Sequence, residues 1–167
     1  NKNYAAYTVD SSTVAALPEQ LEHLTIEIFL GSWCGDSKRE VPRMLKILEQ
    51  ARFDTSRVQL IFVDNSTATY KQSPQHEEAG KNIHHVPTFI VYRGRKELGR
   101  IVETPVVSIE KDLLAITGGD TYIPKYKAIT YWRKEVKNRE DSLSSEQLQR
   151  LVSSIQPFCL RRGEFNA

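Results

Sequence analysis

The sequence predicts an α/β domain, a central mixed β-sheet flanked by helices, continued by a C-terminal helical extension. Three observations carry that reading. Residues 26–31, Ile-Glu-Ile-Phe-Leu-Gly, combine β-branched and aromatic residues and stop at a glycine. From Asp36 onward, Val41, Met44, Leu45, Leu48 and Ala51 recur at helical spacing. Two β-rich segments, 89–92 and 97–102, then flank Arg93-Gly94-Arg95-Lys96 as a hairpin would. A chain of 167 residues holds one well-buried domain with appendages. We divide it into an N-terminal extension (1–25), a core (26–117) and a C-terminal helical extension (118–167).

Each element has its own signal. The segment 26–31 reads as the first core strand, leading into a turn. The helix after Asp36 contains Pro42, which lacks an N–H and crowds the preceding turn, so a kink is expected there. Residues 58–63 form a nearly continuous apolar run, the pattern of a strand covered on both faces and hence central in the sheet. Ser73-Pro74 supplies an N-cap followed by a proline in the first turn, which predicts a short helix toward Lys81. Ser108 caps a last core helix, with Ile109, Leu113 and Ile116 along one side, and Gly118-Gly119 ends it. Beyond the glycines, Tyr122, Tyr126, Ile129 and Val136 suggest one amphipathic helix, and Leu148, Leu151, Val152 and Ile155 another behind a Ser144/Gln147 capping box. The charged stretch 134–141 lies between them.

Charge and composition exclude several function classes. The formal charge of +2, from 23 basic against 21 acidic residues, leaves no net field to draw nucleic acid or an anionic membrane. Arg93, Arg95, Lys96 and Arg100 cluster at the hairpin without interleaved aromatics, as charges that solvate a sheet edge do. No apolar run approaches the length that spans a bilayer, so a soluble protein is expected. The start at Asn1 is compatible with a leader removed beforehand, and a cytoplasmic and a periplasmic or secreted location both stay open. The two cysteines, Cys34 and Cys159, stand far apart and do not resemble a disulfide framework.

The order of elements, with Trp33-Cys34-Gly35-Asp36-Ser37 between the first strand and its helix, resembles the thioredoxin family. The resemblance covers the core. It is carried by Trp33 before Cys34, by Pro42 eight residues past that cysteine, and by Val86-Pro87-Thr88, which is similar to the family's cis-proline loop. The wording Gly31-Ser32-Trp33-Cys34-Gly35-Asp36-Ser37 also resembles a bacterial branch of thioredoxin-like proteins. The resemblance implies a role in cell redox chemistry, a cis Pro87, and a loop that holds the backbone of Val86 beside Cys34 to pair with an extended peptide, with Trp33 as an exposed apolar lip. Ser37 stands where the family carries its resolving cysteine. The buried acid six residues before the nucleophile and the lysine of the central strand correspond here to Ile28 and Leu60.

These residues define a chemistry. A thiol attacks only as thiolate, and the start of a helix, with its unpaired N–H groups and dipole, stabilises that anion at Cys34. Lys38 and Arg39 add positive charge one turn on, whereas Asp36 beside Gly35 brings a like charge. With Ser37 in place of a second thiol, internal resolution is impossible at this motif, although its hydroxyl can hydrogen-bond the sulfur. Monothiol exchange is expected: attack by Cys34, a mixed disulfide, and release by an outside thiol such as glutathione. The expected partners are protein or peptide thiols and disulfides, and no cofactor is expected.

Other readings weigh less. A redox-inactive module that keeps the peptide groove is the alternative, favoured by Ser37, Ile28 and Leu60. A peroxide-reacting thiol would want an arginine and a hydroxyl around the peroxide, and neither can be assigned. Cys159 reads as a small buried hydrophobe, with a distant resolving thiol as the other option. His84, His85 and His76 do not make a metal site with Cys34, because adjacent residues on an extended segment point to opposite faces. No metal is expected.

Overall fold

A computed structural model describes residues 2–120 and 122–125, and the chain divides after Tyr126. Cys159, the Ser144/Gln147 capping box, the charged stretch 134–141 and the expected helix beyond Lys125 lie outside the described residues. The described elements are helices α1 (Lys2–Ala6), α2 (Ser11–Val14) and α3 (Pro18–Leu21), strand β1 (Leu24–Leu30), helix α4 (Gly35–Gln50), strand β2 (Val58–Phe62), the hairpin β3 (Thr88–Arg93) and β4 (Lys96–Val102), and helix α5 (Ile109–Gly118).

The four strands form one mixed sheet in the order β2-β1-β3-β4. β1 pairs parallel with β2, aligning Ile28 with Leu60, and antiparallel with β3, aligning Ile28 with Phe89. A parallel pair needs a crossover, and α4 supplies it. β3 and β4 turn back on each other at Gly94, whose φ of +61° suits a residue without a Cβ.

Alternation along the strands builds two cores. Ile26, Ile28, Leu30, Phe89, Val91 and Ile101 pack with Met44, Ile47 and Leu48 of α4 and with Leu113 and Ile116 of α5. On the opposite face, Phe29, Ile61 and Ile90 pack with Val63, Ile83 and Val86. Pro42 stands inside α4, which continues through it to Gln50. α5 begins as the sequence predicts: Lys111 N–H donates to the Ser108 hydroxyl, and Gly119 closes the helix at φ +87°.

The N-terminal residues belong to the first core. Val9, Val14, Leu17 and Leu21 are buried in the same cluster as α4 and α5. Polar bonds fix the path: Lys46 Nζ donates to the carbonyls of Tyr4 and Tyr7, and the Tyr7 hydroxyl and Asp10 N–H donate to the buried Glu110 carboxylate. Burial and Glu110 together push the Tyr7 hydroxyl well above its ordinary pKa.

Three expectations are corrected. The run 58–63 is not a central strand: β2 lies at the edge of the described sheet, with Leu60 43% and Phe62 54% exposed. Its apolar residues extend the α4 face past the helix that covers it, and only Ile61 and Val63 face the second core. Residues 73–81 are turns rather than a helix. Ser73 starts the segment as a cap does, with Glu77 N–H donating to its hydroxyl, yet Ser73 gives its own N–H and O–H to the Glu78 carboxylate. These local bonds compete with the helical ladder. His76 at φ +58° then turns the chain out of the helical region.

Tyr122 is likewise not helical. It packs against the first core and its hydroxyl donates to Asp112, and burial with that carboxylate pushes its pKa far up.

Candidate functional site

The end of β1 and the start of α4 build the site. Gly31 follows β1, a turn closes with Cys34 N–H donating to the Gly31 carbonyl at 3.0 Å, and Cys34 becomes the N-cap of α4 with extended φ/ψ. No side chain caps that end. The unpaired N–H groups of the first turn therefore stand beside the sulfur, where they favour negative charge.

The sulfur touches the proline loop. The Val86–Pro87 peptide is cis, and the Cys34 thiol donates to the Val86 carbonyl at 3.1 Å. A carbonyl oxygen only accepts, so this contact exists with the proton on sulfur. Cys34 is half-buried and packs against the second core through Val86 and its neighbours.

Trp33 forms the outer wall. Its ring lies on Gly31, its Nε1–H donates to the Val63 carbonyl at 3.2 Å, and 37% of the residue stays exposed. Gly35 is exposed, with open space where a Cβ would project.

Ser37 is buried, and its Oγ accepts from the Gly31 N–H at 3.2 Å. The hydroxyl thus fastens the turn that carries Trp33 and Cys34. Asp36 is ion-paired with Arg39, which also bonds the buried Glu40 at 2.6 Å. Glu40 and Asp36 raise the Arg39 pKa, the Glu40 hydrogen bond most of all. The charges of Asp36 and Arg39 compensate each other, which leaves Lys38 as the exposed cation of this turn; its backbone carbonyl accepts from Asn3.

Of the expected site residues, Trp33 and Cys34 lie on the turn that follows β1, Gly35, Asp36, Ser37 and Lys38 on the first turn of α4, and Val86 and Pro87 opposite the sulfur. Ile28 is fully buried in β1, and its partner in register on β2, Leu60, is half-exposed; both are aliphatic. The histidines do not converge: His76 faces Glu78, His85 faces Glu103, and His84 is exposed. Among the described residues no group of three or more His, Cys, Asp or Glu is placed to hold a metal, and no helix is long and apolar enough to cross a membrane.

Three participants were missed in the sequence. Gly31 is needed small because Trp33 lies on it. Lys71 donates through Nζ to the His84 carbonyl, and Glu103 donates through its N–H to the Pro87 carbonyl at 2.7 Å. The glycine ending an apolar run was a signal for the first; Lys71 and Glu103 carry none.

No family model and no curated protein matches the chain. Solved structures do. A malarial protein is 19% identical, covering 60% of this chain and all of that one, at a TM-score of 0.41. Thioredoxin f2 of Chlamydomonas reinhardtii is 22% identical over 56% of this chain and 80% of its own, at 0.35. Thioredoxin O2 of Arabidopsis thaliana, in its oxidized state, is 19% identical over 53% and 76%, also at 0.35. The fold is thioredoxin-like on its own strand order: β1, crossover helix, parallel β2, then the antiparallel hairpin entered through Pro87, and α5.

Proposed function

We propose that the protein carries out monothiol thiol–disulfide exchange through Cys34. The observation that carries the reading is a single cysteine at the uncapped N-terminus of α4, held against the Val86 carbonyl beside cis-Pro87. The N–H groups of the helix start stabilise the thiolate once the proton leaves. That thiolate attacks one sulfur of a protein or peptide disulfide. A Cys34–substrate S–S bond forms, the original S–S bond breaks, and the other substrate sulfur departs as thiolate.

No second thiol stands at the motif, so an outside thiolate, for which glutathione is our candidate, attacks the substrate sulfur of the mixed disulfide: a glutathione–substrate S–S bond forms, the Cys34–substrate S–S bond breaks, and Cys34 leaves as thiolate. Trp33, Val86 and Pro87 line the approach of the peptide. Ser37 acts on the sulfur through the Gly31 turn, while Gly35, Asp36 and Lys38 shape the local field. The likeness of the Gly31–Ser37 wording to a bacterial branch belongs to this proposal too.

The test is the pH dependence of Cys34 alkylation, with Cys159→Ser removing the other thiol. A thiolate reactive at neutral pH and a mixed disulfide trapped with a peptide disulfide, both lost in Cys34→Ser, support exchange. A thiol reacting only near the ~8.5 of free cysteine would overturn it.

A second reading has its own support. The Cys34 thiol donates to the Val86 carbonyl, and buried Ile28 and its half-exposed strand partner Leu60 are both aliphatic, which fits a redox-inactive module that binds extended peptides in the same groove. Under that reading Cys34→Ala leaves peptide binding intact whereas Trp33→Ala abolishes it.

A further inference from the structure

The loop before β3 has all four of its carbonyls from His84 to Pro87 engaged, each by a different donor. Lys71 Nζ holds His84 O, the Thr88 hydroxyl holds His85 O at 2.6 Å, Cys34 holds Val86 O at 3.1 Å, and Glu103 N–H holds Pro87 O at 2.7 Å. The one group of this set that serves the sulfur is therefore aimed by its neighbours on either side.

Glu103 grips the loop twice. Besides its N–H on Pro87, its carboxylate Oε1 lies 3.2 Å from Nδ1 of His85, so it touches the residues immediately before and after Val86. It does so at φ +57°, in the left-handed region that a glutamate seldom adopts. The next residue turns sharply as well, with Thr104 N–H donating to Val102 O at 2.7 Å. A backbone bent this way brings main chain and side chain of one residue onto the same loop. The His85 and Glu103 side chains are 36% and 23% exposed, so the pair stands at the rim of the site.

We propose that Glu103 is a positioning residue: through His85 and Pro87 it fixes the Val86 carbonyl on the Cys34 sulfur, and so restrains the reactivity of the thiol. Loosening the grip frees Val86 O to move off the sulfur, the thiol loses the acceptor that keeps its proton, and the helix start gains its anion more readily. This inference builds on the reading of Cys34 as an exchange site, but its test separates the two.

The experiment compares Cys34 alkylation from pH 5 to 9 in the full chain carrying Cys159→Ser, alone and with Glu103→Asn, Glu103→Gln, His85→Ala or His85→Asn, together with each variant's unfolding midpoint. Asparagine tolerates the left-handed backbone and keeps the N–H on Pro87 while falling short of His85, so Glu103→Asn tests the side-chain grip in a folded protein. Glu103→Gln keeps the reach and removes the charge. We expect Glu103→Asn and His85→Ala each to raise the neutral-pH rate by on the order of threefold, the size of losing one modest hydrogen bond. The combined Glu103→Asn and His85→Ala variant, made on the same background, should match either single one, and His85→Asn, which keeps a donor toward Glu103, should return toward the parent.

Equal rates in a parent that reacts at neutral pH, additive effects in the double variant, or rate changes that follow the loss of stability would overturn the positioning role and leave exchange standing. A parent silent at neutral pH whose Glu103→Asn form reacts would do the reverse. A thiol silent in every variant overturns both.

Discussion

The indole of Trp33 lies on Gly31: a Cβ on that glycine would stand 2.5 Å from Cε2 of the ring and 2.9 Å from Nε1. The strand ends on a residue without a side chain because the next-but-one residue needs the space. Gly31→Ala therefore drives the indole off the turn and breaks its bond to Val63 O. With Trp132→Phe to isolate the signal, the Trp33 emission should shift to the red, and stability should fall by about 1–3 kcal/mol, as overpacking typically costs. An unchanged spectrum would mean that the ring is not seated on Gly31.

Ser37 gives a second prediction about the same turn. Its Oγ is the acceptor of the Gly31 N–H in a buried setting, so Ser37→Ala leaves a backbone donor without its partner. The expected cost is about 1–3 kcal/mol in chemical denaturation. Ser37→Thr keeps the oxygen and should lose less. Equal losses in the two variants would show that the hydroxyl is not what holds the turn.

Much of this site was legible in the sequence, and the reasons are local. Trp33, Cys34 and Ser37 share one short motif, Pro42 is fixed in spacing from the cysteine, and Ser108 and Gly119 act through their own side chain or lack of one. The rest depends on tertiary surroundings. An apolar run such as 58–63 looks the same whether its faces are covered or bare, so only the sheet order tells that Leu60 and Phe62 face outward. The proposed helix at 73–81 had a sound start in Ser73-Pro74, but the carboxylate of Glu78 and the backbone at His76 redirected it. Glu103 is the extreme case, because a glutamate in the left-handed region leaves no trace in pattern or propensity.

The edge position of β2 makes a contrast that mutation can read. Ile28 and Phe62 both project to the α4 face, one fully buried and the other 54% exposed. Ile28→Ala removes atoms from a packed core and should cost about 2–5 kcal/mol. Phe62→Thr keeps a strand-forming residue at an exposed edge and should cost under ~1 kcal/mol in a urea titration. A Phe62→Thr loss as large as that of Ile28→Ala would show the edge to be covered after all.

Acid should destabilise the protein through carboxylates that serve as hydrogen-bond acceptors. Asp10 accepts from the hydroxyls of Ser12 and Thr13 and from the Thr13 N–H at the start of α2, and these bonds lower its pKa to about 2. Burial pushes Glu78 upward, but the Ser73 hydroxyl and N–H more than offset it and leave it also at about 2. In the unfolded chain both titrate near ~4. Each folded value is depressed, so the unfolded state binds protons first. The contribution of these groups is complete above roughly pH 5 and is lost as the pH falls from about 4 through about 2. Unfolding midpoints in urea should therefore drop over that window. Asp10→Asn retains a capping oxygen that does not titrate, so its midpoint should fall less steeply with acid than that of the parent, and Glu78→Gln should behave the same way. Curves parallel to the parent's in both variants would place the acid sensitivity in other carboxylates, with the salt-bridged Glu27 beside Lys81 the next to replace.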